Sequence, residues 1–222
     1  MIPNRKAILK KYGKRKGRVM FPTSHDITEI SLDDCITVLR KLLEAGNNVL
    51  ITTKPYLKEI KSIHKNLSEF GDQIKFRFTV TSMYDNILSF FEPNAPKYEE
   101  RLKALEYADL KDYKTSISIE PYLDRYPSIL ADSLVNYTNG SIWIGLMSNM
   151  NNMIKYCLIE ARDISNNFEI INDKVLNIID NVGYILDIYS KRAISRAITY
   201  IKDIQHYSKR IKLKDSIRNF RI

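Results

Sequence analysis

Short apolar runs rich in β-branched residues recur along the first two thirds of this 222-residue chain. Five runs have this character: Val19–Phe21, Asn48–Thr52, Lys75–Thr81, Thr115–Ile119 and Ser141–Gly145. Their starts lie about 25–40 residues apart, which leaves room for one helix and two loops between consecutive strands. Parallel strands require connections of this length, so the spacing predicts a parallel sheet.

The segments between these runs carry apolar residues at helical spacing. After the first run, Ile36, Leu39, Leu42 and Leu43 form one apolar face, and Gly46 is placed to end the helix. Similar faces follow in residues 57–67, 98–107 and 129–134. Strands that alternate with helices predict the α/β class, here as a partial (β/α) barrel with mostly parallel strands.

The last third of the chain has a different pattern. Residues 153–207 are mostly helical in character, and we identify no further convincing strand there. The sequence therefore predicts two regions. Residues 1–150 would form an incomplete barrel, and residues 151–222 would form a C-terminal helical extension packed on it.

Polar residues follow the ends of the predicted strands. They include His25 with Asp26, then Lys54, then Thr79 with Thr81, and finally Glu120. Functional groups of parallel α/β folds gather at the carboxyl ends of the strands. This edge of the sheet is therefore the predicted site.

Several strings near these ends resemble one family. They are residues 17–28 (GRVMFPTSHDIT), 52–55 (TTKP), 76–81 (FRFTVT), 91–96 (FEPNAP) with 99–102 (EERL), 116–121 (SISIEP) and 214–217 (KDSI). In this order they resemble the radical S-adenosylmethionine superfamily, in particular its spore photoproduct lyase and DNA repair photolyase-like branch. The resemblance covers residues 17–143 continuously, and its strands would be barrel strands 2 to 6.

The resemblance implies a binding site for S-adenosylmethionine. By motif position Asp26, with His25 beside it, Lys54 and Thr79 would help to hold this ligand, and Thr81 and Glu120 complete the predicted set. A Lys ammonium can pair with the ligand carboxylate, and an Asp can accept hydrogen bonds from its amino group or ribose.

Each of these residues also has a structural interpretation. Lys54 fits a surface ion pair, Thr79 a hydroxyl bonded to backbone, and His25 an imidazole held at a strand end. Glu120 fits a salt bridge to Arg77 or Arg101 inside the barrel. The sequence alone leaves both interpretations open, and it identifies no catalytic residue.

The superfamily holds a [4Fe–4S] cluster on three cysteines of a CxxxCxxC loop. This sequence has no such loop, and its two cysteines, Cys35 and Cys157, lie far apart. In addition, Thr23 stands where spore photoproduct lyase has a hydrogen-donor cysteine. The sequence therefore leaves open whether the chain is an enzyme. A first hypothesis makes it a portion of a radical S-adenosylmethionine protein, which would need a second polypeptide carrying the cluster.

A second hypothesis is a cluster-free protein that binds nucleic acid or another partner. The formal net charge is +9, and much of the excess lies in residues 5–18 and 209–221, which could contact phosphates. A third is a metal-free enzyme using His25, Asp26 and Glu120, although no phosphate loop or nucleophile motif supports it. No apolar run or secretory signal predicts a membrane location, so a cytoplasmic protein is expected.

Overall fold

A computed structural model describes residues 5–167 and 173–220. Within these ranges the chain forms ten α-helices, three short 3-10 helices and six strands. The helices are α1 (Arg5–Leu9), α2 (Leu32–Glu44), α3 (Leu57–Leu67), α4 (Asp85–Phe91), α5 (Tyr98–Leu110), α6 (Pro127–Leu134), α7 (Met150–Asn167), α8 (Asp173–Ile188), α9 (Lys191–Tyr207) and α10 (Asp215–Arg218). The strands are β1 (Arg18–Phe21), β2 (Asn48–Thr53), β3 (Ile74–Thr79), β4 (Ile117–Ile119), β5 (Ile142–Ile144) and β6 (Ile211–Leu213).

The six strands form one parallel sheet, in which they follow one another in the order of the sequence. In the register of the first four strands, Phe21 lies beside Ile51, and Thr53 beside Phe78. Thr79 lies beside Ser118. The predicted α/β class and the five predicted strands are confirmed.

One strand was not predicted from the sequence. β6 lies at residues 211–213, after the residues 153–207 in which the sequence predicts no further strand, and it adds a sixth strand to the five predicted. Its three residues, Ile211, Lys212 and Leu213, are too few to produce an alternating pattern against the basic residues around them. The last third of the chain is otherwise helical, as predicted, in α7, α8 and α9.

The chain divides into two compact units. The first unit comprises Met1–Val80, Asn94–Ser118 and Ser133–Ile142. The second unit comprises Thr81–Pro93, Ile119–Asp132 and Trp143–Ile222. The predicted division of the chain at residue 150 stays a prediction.

In the first unit, α2 shows how the sequence sets the length of an element. Leu39, Leu42 and Leu43 are buried along one face, which gives the helix its packing surface. Beyond the helix end Gly46 has a φ of 78°, in the left-handed region that a residue without a Cβ enters freely. Its N–H donates to the carbonyl of Leu43 at 2.8 Å, and the chain then enters β2.

Each unit has its own apolar core. In the first, the Phe76 ring packs against the rings of Phe78 and Tyr113, and Ile51 and Leu67 are also fully buried. In the second, a cluster joins Ala161 of α7 to Val175, Ile178 and Val182 of α8. Among the helices of the two described ranges, none combines the length and the apolar character that a membrane crossing requires.

Candidate functional site

The first unit brings two of the predicted site residues into direct contact. Asp26 lies in the loop after β1, and Lys54 directly follows β2. Lys54 Nζ lies 3.1 Å from Asp26 Oδ2, and the backbone N–H of Lys54 donates to Asp26 Oδ1 at 2.7 Å. The side chains are 25% exposed for Lys54 and 34% for Asp26, so solvent reaches both charges.

Thr53 fixes this pair in position. It is the last residue of β2 and is buried, and its hydroxyl accepts a hydrogen bond from the Ile27 N–H at 3.0 Å. The same hydroxyl lies 3.4 Å from Asp26 Oδ1. Hydrogen bonds therefore join Asp26 and Ile27 of the loop after β1 to Thr53 and Lys54 at the end of β2. These bonds hold the carboxylate of Asp26 at the edge of the sheet.

Thr79 ends the next strand along the sheet. Thr53 of β2 is paired with Phe78 of β3. Lys54 comes directly after Thr53 and Thr79 directly after Phe78, so both residues lie at the same end of the two strands. The Thr79 carbonyl accepts a hydrogen bond from Arg101 Nη1 at 3.2 Å. Arg101 is fully buried, and its Nε donates to the Pro96 carbonyl at 2.8 Å. Asp26, Lys54 and Thr79 thus share one edge of the sheet, as predicted for them.

His25 belongs to a different environment. Its Nδ1 lies 3.0 Å from the carbonyl oxygen of Asp26, which orients the ring. The side chain lines a cleft of about 430 Å³ formed with the end of β1, α1 and α2, to which Phe21, Ile8 and Cys35 also contribute. Neither Asp26 nor Lys54 lines this cleft. Contact of His25 with a ligand of the Asp26–Lys54 pair stays a prediction.

The remaining two predicted residues lie in the second unit. Thr81 is fully buried, and its carbonyl accepts a hydrogen bond from the Leu123 N–H at 2.8 Å. Glu120 follows β4 and forms an ion pair with Lys214, which follows β6. The Lys214 N–H donates to the Ile144 carbonyl at 2.8 Å, and this places the ammonium beside Glu120. In the described residues the salt-bridge partner of Glu120 is thus Lys214.

Sequence reasoning missed a buried carboxylate in the second unit. Asp124 is 2% exposed, binds the hydroxyl of Ser82, and accepts a hydrogen bond from the Met83 N–H at 3.1 Å. Ser82 Oγ also accepts from the Tyr84 N–H at 2.9 Å. The burial of this carboxyl raises its pKa above the ordinary value, although both hydrogen bonds oppose the rise. Asp124 therefore ties the segment after β3 to the segment after β4.

This carboxyl gives the free energy of unfolding a predictable pH dependence. The ordinary pKa is 3.8 and the native pKa is higher, so the native state retains the proton longer. The free energy of unfolding should therefore fall as the pH rises from about 4 through the native pKa. In Asp124→Asn the amide oxygen can accept from the Met83 N–H while the amide nitrogen donates to Ser82 Oγ, and this decline should become smaller because the side chain no longer titrates. Urea unfolding at several pH values checks the effect, with the exposed Asp132→Asn as control, and an unchanged decline in Asp124→Asn would contradict it.

The iron–sulfur cluster expected of the resembled family does not fit the cysteines that the structure describes. The family's cluster needs three thiolates of one CxxxCxxC loop, whereas the described residues contain two cysteines, Cys35 and Cys157. Cys35 is buried within α2, and Cys157 lies within α7. In residues 5–167 and 173–220, no three His, Cys, Asp or Glu side chains are grouped as a metal site.

The basic N-terminal residues are accessible. Residues 5–18 contain eight lysines and arginines, and all of them are exposed. Of the C-terminal group, Arg221 lies outside the described residues, and Lys214 pairs with Glu120. Contact of these segments with nucleic acid stays a prediction.

No protein-family model matches the chain, and a search of curated proteins finds no match.

Proposed function

We propose that this chain binds S-adenosylmethionine at the carboxyl edge of β1 and β2, as part of a radical S-adenosylmethionine-like partial barrel. The Asp26–Lys54 pair is the observation that carries the proposal. The ligand has an α-amino-acid group with one ammonium and one carboxylate close together. A fixed pair of opposite charges complements such a group, with Lys54 on the carboxylate and Asp26 on the ammonium.

The strand order supports the barrel part of this proposal. Doubly wound sheets reverse their strand order at a switch point, where their ligands bind. Here the order from β1 to β6 contains no reversal. Consecutive strands with helices between them are the arrangement of a (β/α) barrel, whose sites lie at the carboxyl ends of the strands.

The exposure of the pair makes an exchange of partners inexpensive. Partly exposed ion pairs contribute only about 0–1 kcal/mol, because solvent screens both charges. A ligand that offers each side chain a new opposite charge therefore displaces a weak contact. The hydrogen bonds from the Lys54 and Ile27 N–H groups hold the backbone of both elements, so the carboxylate of Asp26 would stay in place during this exchange.

The reaction is not assigned to this chain alone. S-Adenosylmethionine carries a sulfonium that an electron from a reduced cluster can cleave, and the described cysteines do not provide a cluster site. The residues of this chain would hold and orient the ligand. We propose that this chain is either a split subunit or fragment whose cluster a second polypeptide supplies, or a cluster-less relative of the family that does not generate the radical.

Calorimetric titration with ligand fragments tests the proposal. S-Adenosylmethionine and S-adenosylhomocysteine both carry the amino-acid group, whereas 5′-methylthioadenosine carries the same nucleoside without it. We expect the first two to bind the full chain at least about tenfold more tightly than the third, because charge-assisted hydrogen bonds contribute about 1.5–3 kcal/mol. Equal affinities for the three compounds, or no binding of any of them, would contradict the proposal.

A further inference from the structure

A small basic cleft lies in the second unit, outside the predicted site. Its volume is about 150 Å³. It is lined by Arg125, Asp187, Ser190, Arg192, Ala193 and Arg196. Arg125 comes from the segment after β4, and the others come from the end of α8 and the first turns of α9. Residues far apart in the sequence thus bring three arginines to one cavity.

The charges of this cleft are unbalanced. Arg125 Nη2 lies 2.6 Å from Asp187 Oδ2, which holds that guanidinium in position. Arg192 and Arg196 lie one turn apart on the same helix, and neither pairs with a carboxylate of the part of the chain that the structure describes. Three guanidinium groups against one carboxylate leave a formal surplus of two positive charges.

The size and charge of the cleft together select a class of ligand. Pockets for whole small molecules begin at roughly 300 Å³, so this cavity suits a single compact group. A phosphate monoester carries about −1.5 to −2 charge near pH 7, which matches the surplus. Arginine binds such oxygens through two N–H groups at once. The first turn of α9 adds the positive end of a 17-residue helix.

Two exposed tyrosines continue the same surface. Tyr126 follows Arg125 in sequence, and Tyr200 lies one helical turn beyond Arg196 on α9. Their ring centroids are 6.3 Å apart, and the residues are 40% and 44% exposed. Tyrosine rings that remain accessible beside arginines offer a stacking surface for a planar base.

We infer that this cleft binds the phosphate monoester of an aromatic molecule such as a nucleoside monophosphate. The arginines would hold the phosphate, and Tyr126 and Tyr200 would contact the base outside the cavity. This site is separate from the Asp26–Lys54 pair, and it does not depend on the binding of S-adenosylmethionine.

Calorimetry with adenosine 5′-monophosphate in phosphate-free buffer tests the inference on the full chain. We expect saturable binding by the unmodified chain. The double variant Arg192→Gln/Arg196→Gln should bind at least tenfold more weakly, because each substitution removes a charged hydrogen-bond donor. Arg162→Gln changes an exposed arginine of α7 outside the cleft and should bind as the unmodified chain does. Equal thermal unfolding curves of the variants without ligand show that folding is unchanged. No saturable binding, or equal binding by all variants, would overturn the inference.

Further probes define the ligand class. Dimethyl phosphate, a singly charged diester, should bind at least tenfold more weakly than adenosine 5′-monophosphate, and ribose 5-phosphate should bind more weakly than the nucleotide. In Tyr200→Leu, ribose 5-phosphate and adenosine 5′-monophosphate should bind with equal affinity. If the nucleotide still binds more tightly in this variant, the proposed contact of the tyrosines with the base is overturned.

An oligothymidylate with a 5′-phosphate should compete with adenosine 5′-monophosphate, whereas the same oligothymidylate with a 5′-hydroxyl should not. Equal competition by both forms would show a surface for diester backbones and overturn the monoester assignment.

Discussion

Replacing Phe76 by alanine should lower the free energy of unfolding by about 3–5 kcal/mol, which is the usual cost of deleting a fully buried aromatic side chain. Phe76 lies in β3 and is 0% exposed. Its ring centroid is 5.1 Å from that of Phe78 and 5.0 Å from that of Tyr113. The alanine would leave a cavity beside the rings of Phe78 and Tyr113, which pack against Phe76.

Urea unfolding followed by far-UV circular dichroism measures this loss. Leu110→Ala is the matched control, because Leu110 is an apolar residue of the same unit that is 76% exposed. The control should change the free energy of unfolding by no more than about 0.5 kcal/mol. A loss below about 1 kcal/mol for Phe76→Ala would mean that the ring is not packed in the core of this unit.

Replacing Lys54 by glutamine should weaken the binding of S-adenosylmethionine at least about tenfold, through loss of the cation that faces the ligand carboxylate. Asp26→Asn should weaken the binding of S-adenosylmethionine by a similar factor, because it removes the anion that faces the ligand ammonium. The asparagine Oδ1 can still accept the Lys54 N–H, so this variant removes the charge and leaves the loop attached. Binding of 5′-methylthioadenosine should be unchanged in both variants.

Lys58→Gln is the control for these titrations. Lys58 is an exposed lysine of α3 that forms an ion pair with Glu29, outside the proposed site. Its replacement should leave the affinity for S-adenosylmethionine unchanged. If Lys54→Gln and Lys58→Gln bind the ligand equally, the Asp26–Lys54 pair is a surface ion pair without a role in binding.

The sheet was largely predictable because its signal is local. Each of β1 to β5 is a short apolar run, and the helices between them carry apolar residues at helical spacing. The placement of Asp26 and Lys54 at one edge followed from the same signal, since the ends of neighbouring parallel strands meet there, whereas their ion pair with each other was not predicted. β6 was missed because its three residues, 211–213, give too short a pattern.

The groups that sequence reasoning missed depend on contacts between distant residues. Ser82 and Asp124 are 42 positions apart, and nothing near either residue marks the other as its partner. Arg125 lines the same cleft as Arg192 and Arg196, although α6, β5, α7 and α8 lie between them in the sequence. Charge counting instead favours the two ends of the chain, where basic residues are adjacent in sequence.

A crystal structure of the full chain with S-adenosylhomocysteine is the most direct test of the proposed site. We predict the ligand carboxylate within about 3.5 Å of Lys54 Nζ and its ammonium within about 3.5 Å of an Asp26 carboxylate oxygen, the usual limit for such contacts. The distance between Lys54 Nζ and Asp26 Oδ2 should then exceed the present 3.1 Å. A ligand bound elsewhere, with this distance unchanged, would contradict the assignment of the Asp26–Lys54 pair as the binding site.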